Sequence, residues 1–273
     1  MNSVPCCERK FYYQIDVSTF YAPYLRWFIH LSERLGEDIT LTLWKTVFEE
    51  YDDEYLRRIL SSEWRKITIG QSNGVADGVD RLVTEMISAA SLQITENEIR
   101  NIIEKTPPIF QIKSIFSYES IEREISAFDA LHLRFDGLAY LAETLIENYG
   151  KQGELIVYDL VVDGRLANTK GEKGSVEQFM ANFTAKPPRP NLFTAGLEIE
   201  TISETPREVI INVRECEWAR YFQERHPRVG YLMACSTDEV AYKSFNNHIR
   251  MQRTKTIMEG AEKCDFKIYA KNP

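Results

Sequence analysis

The chain has 273 residues, enough for one large domain or two modest ones, and its 44% hydrophobic and 12% aromatic content is ample for a packed core. A formal charge of −8 argues against broad binding to nucleic acid or an anionic membrane, since both call for a basic surface. No apolar run approaches membrane-spanning length, the start Met1-Asn2-Ser3-Val4-Pro5-Cys6-Cys7 lacks a signal-peptide core, and five cysteines in that setting read as reduced thiols in a cytoplasm.

Cys6 and Cys7 fall on a loose terminus with no expected role. Phe20, Tyr24, Trp27, Phe28, Leu31 and Leu35 then recur at helical spacing, with Gly36 as the stop and His30 as a structural residue on the same helix. A second helix is expected over 40–64, carrying Leu41, Trp44, Phe48, Tyr51, Tyr55 and Ile59 on one face. Residues 70–78, with Asn73-Gly74 and Asp77-Gly78, read as a loop, followed by a helix to about residue 90. Thr95 and Glu98 form a capping box that opens a short helix ending before Pro107-Pro108. The aromatic stripes on these helices read as core, not as a cofactor cradle.

Residues 109–126 form a bridge with a short helix after Tyr118. A stronger helix covers 127–149, with Leu131, Phe135, Leu138, Leu145 and Tyr149 as its buried stripe and Gly150 as its end. Its other face presents Asp129, His132, Asp136 and Glu143 at spacings of three, four and seven. A solvated face with incidental charge pairing is the commoner meaning of such a pattern. The sharper meaning is a base dyad, with His132 oriented by Asp136, or part of a metal site.

Residues 154–163 read as a strand, from Leu155, Val157, Leu160, Val161 and Val162, too apolar for an exposed edge. Residues 169–191 hold Lys170-Gly171-Glu172-Lys173-Gly174 and Pro187-Pro188-Arg189-Pro190 around a short helix at 176–183, and read as a mobile surface excursion with the character of a lid. Residues 197–203 and 207–214 form a hairpin around Glu204-Thr205-Pro206, after which Cys216 enters a helix stopped by Pro227.

The last quarter carries three of the five cysteines. Ser236-Thr237-Asp238-Glu239 reads as a capping box, so a helix should run from Thr237 to about Phe245 with Cys235 just before it. There the helix dipole would lower the thiol pKa while Asp238 opposes it; a buried small residue is the plainer reading. Residues 249–258 and 264–270 look like an antiparallel hairpin joined by Glu259-Gly260-Ala261-Glu262-Lys263. That register sets Met258 opposite Cys264 and Thr256 opposite Phe266. Thr254, Thr256, Cys264 and Phe266 then share one face and Arg253 the other. Hydroxyls beside a thiol on an apolar face suggest a polar spot inside a pocket; two hydroxyls bonded to local backbone would look the same. No Gly-rich phosphate loop, Gly-x-Ser-x-Gly elbow, His-Glu-x-x-His motif or internal repeat occurs.

Glu215-Cys216, Pro227, Gly230, Cys235, Asp238, Phe245-Asn246, Ile249, Arg253-Thr254-Lys255-Thr256, Gly260 and Cys264-Asp265-Phe266 together resemble the C-terminal signature of the L-2-amino-thiazoline-4-carboxylic acid hydrolase family. The likeness covers roughly residues 127–270 and is dense after Arg214. It departs from the family at Asn247, where proline often follows Phe-Asn. The C-terminal layout is also distantly similar to four-vinyl-reductase-type small-molecule-binding domains, some of which hold zinc through cysteines.

The expected architecture is α+β: a helical N-terminal region over 1–110, a connecting segment over 111–126, and over 127–273 a domain with an antiparallel sheet and packed helices. The resemblance implies hydrolytic opening of a small cyclic amidine or isothiourea, such as 2-aminothiazoline-4-carboxylate to a carbamoyl-cysteine, within L-cysteine metabolism. Cys264 or Cys235 would attack covalently with Thr256 positioning the adduct, or water would be activated by Asp238 or His132. Arg250 or Arg253 would pair a substrate carboxylate, with Phe266 and Cys216 nearby. The partner expected is a small-molecule substrate, with no nucleic acid and no membrane; a homodimer is compatible with this reading. No cofactor is expected. The competing class is a sensor module that binds a ring without turnover or holds zinc through Cys235, Cys264 and Asp238, although the long gaps between the cysteines are unlike a standard zinc site. A different ring-opening or ring-forming biosynthetic reaction on the same fold is the third alternative.

Overall fold

The structure, a computed structural model, describes residues 5–50, 58, 65–67, 120–167, 174–184 and 191–271. The expected loop at 70–78, the helix to residue 90, the capping box at 95–98 and the Pro107-Pro108 stop all lie outside the described residues. Among the described residues no helix is long and apolar enough to cross a membrane. The fold is α+β, with two antiparallel sheets and packed helices. It divides into two compact units, Tyr13–Arg123 and Met1–Tyr12 with Glu124–Pro273.

In the first unit, α1 (Val17–Leu35) meets α2 (Glu37–Glu50) through the expected α1 stripe, whereas on α2 Leu43 and Val47 bury beside the expected Trp44, and residues 51–57 and 59–64 of the expected second helix lie outside the described residues. Tyr24, Leu25, Trp27, Phe28 and Leu31 bury against Leu43, Trp44 and Val47, and Trp44 takes the rings of Phe28 and Tyr24 edge-on at 5.3 and 6.5 Å. Gly36, at φ +89°, ends α1 as expected. A three-stranded sheet of order β1-β3-β2 is formed by β1 (Lys10–Asp16), β2 (Arg65–Ile67) and β3 (Ser120–Ser126). The short helix expected after Tyr118 is thus strand β3. Pairing with β2, Arg65 opposite Glu122, outweighs the helix preference of its charged residues.

In the second unit, α3 (Ala127–Tyr149) is opened by the Ser126–Asp129 capping box and closed by Gly150 at φ +54°. The strand expected over 154–163 is instead helix α4 (Lys151–Ala167). Gly153, Ile156, Val157 and Leu160 recur at i, i+3, i+4 and i+7, and the last three bury while Leu155 is 50% exposed. The β-branched run therefore has a helical period, and α3 supplies the face it packs on. Gly153 belongs to that stripe because an added Cβ would run into the Leu145 carbonyl.

Helices α5 (Val176–Thr184) and α6 (Leu192–Gly196) follow, then β4 (Leu197–Thr205) and β5 (Glu208–Cys216), the expected hairpin. With β6 (Ile249–Gln252) and β7 (Cys264–Ala270) they form an antiparallel sheet of order β4-β5-β7-β6. Val209, Ile211, Val213, Ile249, Cys264 and Ile268 face a core shared with Val176 and Met180 of α5. The terminal hairpin has a different register from the expected one: Arg250 stands opposite Tyr269 and Gln252 opposite Lys267. Strand β6 stops there because the Asp265 carboxylate accepts from the Thr254 and Lys255 amides, both at 2.9 Å, in place of ladder partners. Thr254 and Thr256 therefore do not share the sheet face of Cys264 and Phe266. Thr256 instead caps a 3₁₀ turn, Ile257–Glu259, accepting from the Glu259 amide at 3.1 Å.

Candidate active site

One cavity, of about 160 Å³, opens between the sheet and the helices that follow it. Its floor is apolar: Leu197 and Ile199 of β4, and Ile211 and Val213 of β5. Cys264 and Phe266 continue that floor from β7, because Cys264 pairs opposite Val213 and the inward face alternates from there. Cys216 ends β5 and serves as the N-cap of α7 (Glu217–Arg225), its Sγ accepting from the Ala219 amide at 3.4 Å. The roof is built by Trp218 of α7, a π-helical turn (Tyr231–Cys235) and α8 (Asp238–Phe245). Phe193 of α6 and Arg165 of α4 complete the wall.

The capping box expected at Ser236 does not form. The N-cap of α8 is Thr237, whose side chain makes no capping bond to the helix amides, and Ser236 Oγ donates back to the Leu232 carbonyl at 2.6 Å. The π-helical turn causes this difference, since its last residue is Cys235 and Ser236 still belongs to it by the Ser236 N–H bond to Tyr231 O at 2.8 Å. One consequence is useful to the site: Asp238 and Tyr242, one helical turn apart, both line the cavity.

The polar feature of the cavity is an ion pair. Arg253 Nη1 donates to Asp238 Oδ2 at 2.5 Å, and its Nη2 donates to the Cys235 carbonyl at 3.0 Å. The guanidinium also lies 5.1 Å from the Phe266 ring centre. Arg253 is 6% exposed at its side chain and Asp238 23%. Burial pushes the Asp238 carboxyl above its ordinary value, against the opposing pull of Arg253 and Arg165. Burial would lower the Arg253 pKa, but its neighbours, Asp238 foremost with Cys235 and Tyr231, raise it.

The thiols do not behave as the helix-dipole argument expects. Burial pushes Cys216 up to about 12. Burial, then the Asp238 charge, raises Cys235, and burial raises Cys264 although its Sγ accepts from the Ile257 amide at 3.2 Å. All three are thiols at neutral pH. Desolvation outweighs the dipole because Cys235 is held in the roof instead of facing water at a helix entrance.

Of the residues singled out in the sequence, Cys216, Cys235, Asp238, Arg253, Cys264 and Phe266 converge on this cavity. Thr256, Arg250 and His132 are not among its lining residues. Arg250 Nη1 instead donates to the Asn247 and Ile249 carbonyls at 2.6 and 2.8 Å. Arg165, Phe193, Trp218 and Tyr242 line it without having been named. Only Tyr242 had a local signal, its four-residue spacing from Asp238.

His132 lies in a separate, buried charge network, so the face of α3 is not the solvated one expected. His132 and Asp136 are each 1% exposed, with Nδ1 to Oδ1 at 3.5 Å. Helix α7 and the turn after it cover them: Asp136 accepts from Tyr221 Oη at 3.0 Å and Arg225 Nε at 3.3 Å, and faces His226 Nε2 at 3.1 Å. His226 Nδ1 reaches Glu143 at 3.0 Å. Among the described residues no group of three or more His, Cys, Asp and Glu side chains is arranged to hold a metal ion, and that includes Cys235, Cys264 and Asp238.

These features define an α+β protein whose helix-covered antiparallel sheet walls a small cavity bearing one half-buried Asp–Arg pair and three thiols. The chain belongs to the L-2-amino-thiazoline-4-carboxylic acid hydrolase family, whose model matches residues 132–268, a stretch that holds every lining residue named above. No curated protein and no solved structure matches the chain.

Proposed function

We propose that the protein is a hydrolase that opens a small cyclic amidine or isothiourea ring bearing a carboxylate, of the 2-aminothiazoline-4-carboxylate kind, to a carbamoyl-cysteine-like product. The observation that carries this reading is the Asp238–Arg253 pair on the wall of a small, mostly apolar cavity within the family's matched stretch. The electrophile is a ring carbon bonded to two nitrogens and a sulfur. Water attacks it as the Asp238 carboxylate takes one water proton, and the tetrahedral centre forms. The Asp238 carboxyl returns that proton to the ring nitrogen; as the centre collapses, the carboxylate takes the remaining hydroxyl proton and passes it to the same nitrogen, the ring C–N bond breaks, and the nitrogen leaves as an amine. The sum is ring plus one water, with no co-reactant. A carboxyl raised by burial suits a group that must both accept and release a proton. Arg253 is the positioning residue that holds that carboxylate in place, while Cys216, Cys235 and Cys264 shape the pocket.

The test is a turnover screen of cyclic amidines, thiazolines and hydantoin-like rings with wild type, Asp238→Asn, Cys264→Ser and Cys235→Ser. Asp238→Asn should lower kcat by about 10²- to 10⁴-fold, the usual worth of general acid–base catalysis, while the serine variants stay within about tenfold. No turnover across the panel, together with tight binding of a ring, would sink the hydrolase reading in favour of a binding module.

A further inference from the structure

Trp218 is the largest side chain among the described residues lining the cavity, and it is braced on the side away from the ligand space. The other aromatic rings of the wall have different settings. Tyr242 packs edge-on against Phe179 at 5.8 Å between ring centres, Phe266 lies 5.1 Å from the Arg253 guanidinium, and Phe193 is 41% exposed at the solvent edge. Behind the half-buried Trp218 stands Gly196 of α6. A Cβ there would lie 2.5 Å from Trp218 Cζ3 and 3.2 Å from Cε3, so the six-membered ring of the indole rests directly on the α6 backbone. Ala127 Cβ lies 3.4 Å from the same point, so α3 packs into that contact as well. The first turn of α7 fixes the other end of the side chain. Cys216 caps it through the Ala219 amide, Arg220 Nη2 stands 2.6 Å from the buried Glu217 carboxylate, and the same guanidinium lies 4.6 Å from the Phe128 ring centre on α3. An indole held at its backbone and at its far edge cannot recede without overpacking α6.

We infer that Trp218 is the specificity-determining residue of the cavity, and that it limits the ligand to a single unfused ring. The floor is as unyielding as this part of the roof. Ile211 and Val213 are core residues of β5, and β5 is paired on both sides, with β4 and with β7. The space enclosed is about 160 Å³, below the range of drug-sized sites. A fused second ring therefore has no room while the indole is in place, and gains room when the indole is removed. Gly196 belongs to the same device, because only a residue without a Cβ lets the indole stand where it does. This inference rests on the ring-hydrolase reading for the choice of probe, and its test does not depend on turnover.

Calorimetric binding of 2-aminothiazole-4-carboxylate, an aromatic monocycle that resists ring opening, is compared with binding of the fused bicycle 2-aminobenzothiazole-4-carboxylate. Each carries one carboxylate, so the pair differs in size and not in charge. Wild type should prefer the monocycle by about 10- to 100-fold, the cost of forcing extra ring atoms against a braced wall. Trp218→Ala should reverse the order, with the bicycle gaining about tenfold or more and the monocycle losing several-fold as its contact with the indole goes. Trp218→Phe should fall between the two. Wild type that binds neither probe, or binds the bicycle as tightly as the monocycle, overturns the inference. So does a preference that is unchanged in Trp218→Ala, or in Trp218→Phe should the alanine variant not fold. Absence of turnover on the thiazoline with the size preference intact would instead remove the hydrolase reading and leave the size limit standing. Turnover without a size preference would do the reverse.

Discussion

His226 should make the stability of this protein fall in mild alkali. It is 5% exposed, with Nδ1 3.0 Å from Glu143 and Nε2 3.1 Å from Asp136, so each ring nitrogen faces a carboxylate. Burial alone would lower its pKa, but the hydrogen bonds and charges of Asp136 and Glu143 outweigh burial and raise it from 6.5 to about 9. The surrounding groups are Asp136, Glu143 and His132 on α3, and Tyr221 and Arg225 on α7. A folded pKa above the unfolded one means that the folded state holds the proton more tightly. The stabilisation is therefore complete below pH 6.5 and is lost as pH rises through about 9. The rise corresponds to about 3 kcal/mol, and the slope across the window approaches about 1.4 kcal/mol per pH unit. Urea unfolding of wild type and His226→Gln at intervals from pH 6 to 10 isolates this contribution, because every other titrating group is common to both. The wild-type advantage should be level below pH 6.5 and shrink from there to about pH 9. Parallel curves, or an NMR titration of the His226 ring with a midpoint at or below 6.5, would refute the reasoning.

Gly196→Ala should damage the cavity from outside it: an added Cβ would lie 2.5 Å from Trp218 Cζ3 and 3.4 Å from Ala127 Cβ, so the indole must move. A stability loss of about 1–3 kcal/mol with shifted tryptophan fluorescence is expected, and an unperturbed spectrum would count against Trp218 as a fixed wall. Thiol titration with an aromatic disulfide at pH 8 should show one fast equivalent, from exposed Cys7, with Cys6, Cys216, Cys235 and Cys264 slow. A fast phase that survives Cys7→Ser would mean that the pocket holds a thiolate.

Local signals made much of the second unit legible. Gly150 ends α3, the β4–β5 hairpin forms as expected although its turn is Pro206-Arg207 and Glu204 and Thr205 stay paired in the strand, and the alternation Cys264, Phe266, Ile268 gives the inward face of β7. What failed was decided at longer range. Residues 154–163 have both a β-branched composition and a helical period, and only the face offered by α3 decides between them. The register of β6 depends on Asp265 taking two amides that a regular hairpin would have paired. Asp136 and His132 looked solvent-facing because Tyr221, Arg225 and His226 come from roughly 90 residues further on. The site was legible as residue types, since six named residues meet at one cavity, but not as roles. Arg253, assigned by alternation to the face away from the site, is a wall residue because β6 ends before it.

The protonation of the thiols bears on both hydrolytic routes. With a pKa of about 12, forming the Cys216 thiolate at pH 7 costs about 7 kcal/mol before any bond is made. Cys235 is also raised, in part by the Asp238 charge itself. A covalent route therefore needs a base to take the thiol proton during attack, and Asp238 is the carboxylate on the cavity wall. A water route needs the same base for a different proton. The two routes then share a dependence on Asp238 and differ only in their dependence on a cysteine. Asp238→Asn tests whether acid–base chemistry happens in this cavity at all, and the serine variants decide which nucleophile it serves. A variant set in which Cys264→Ser is inactive and Asp238→Asn is fully active would contradict both routes together, because among the described residues no other lining side chain is a carboxylate that can carry the proton.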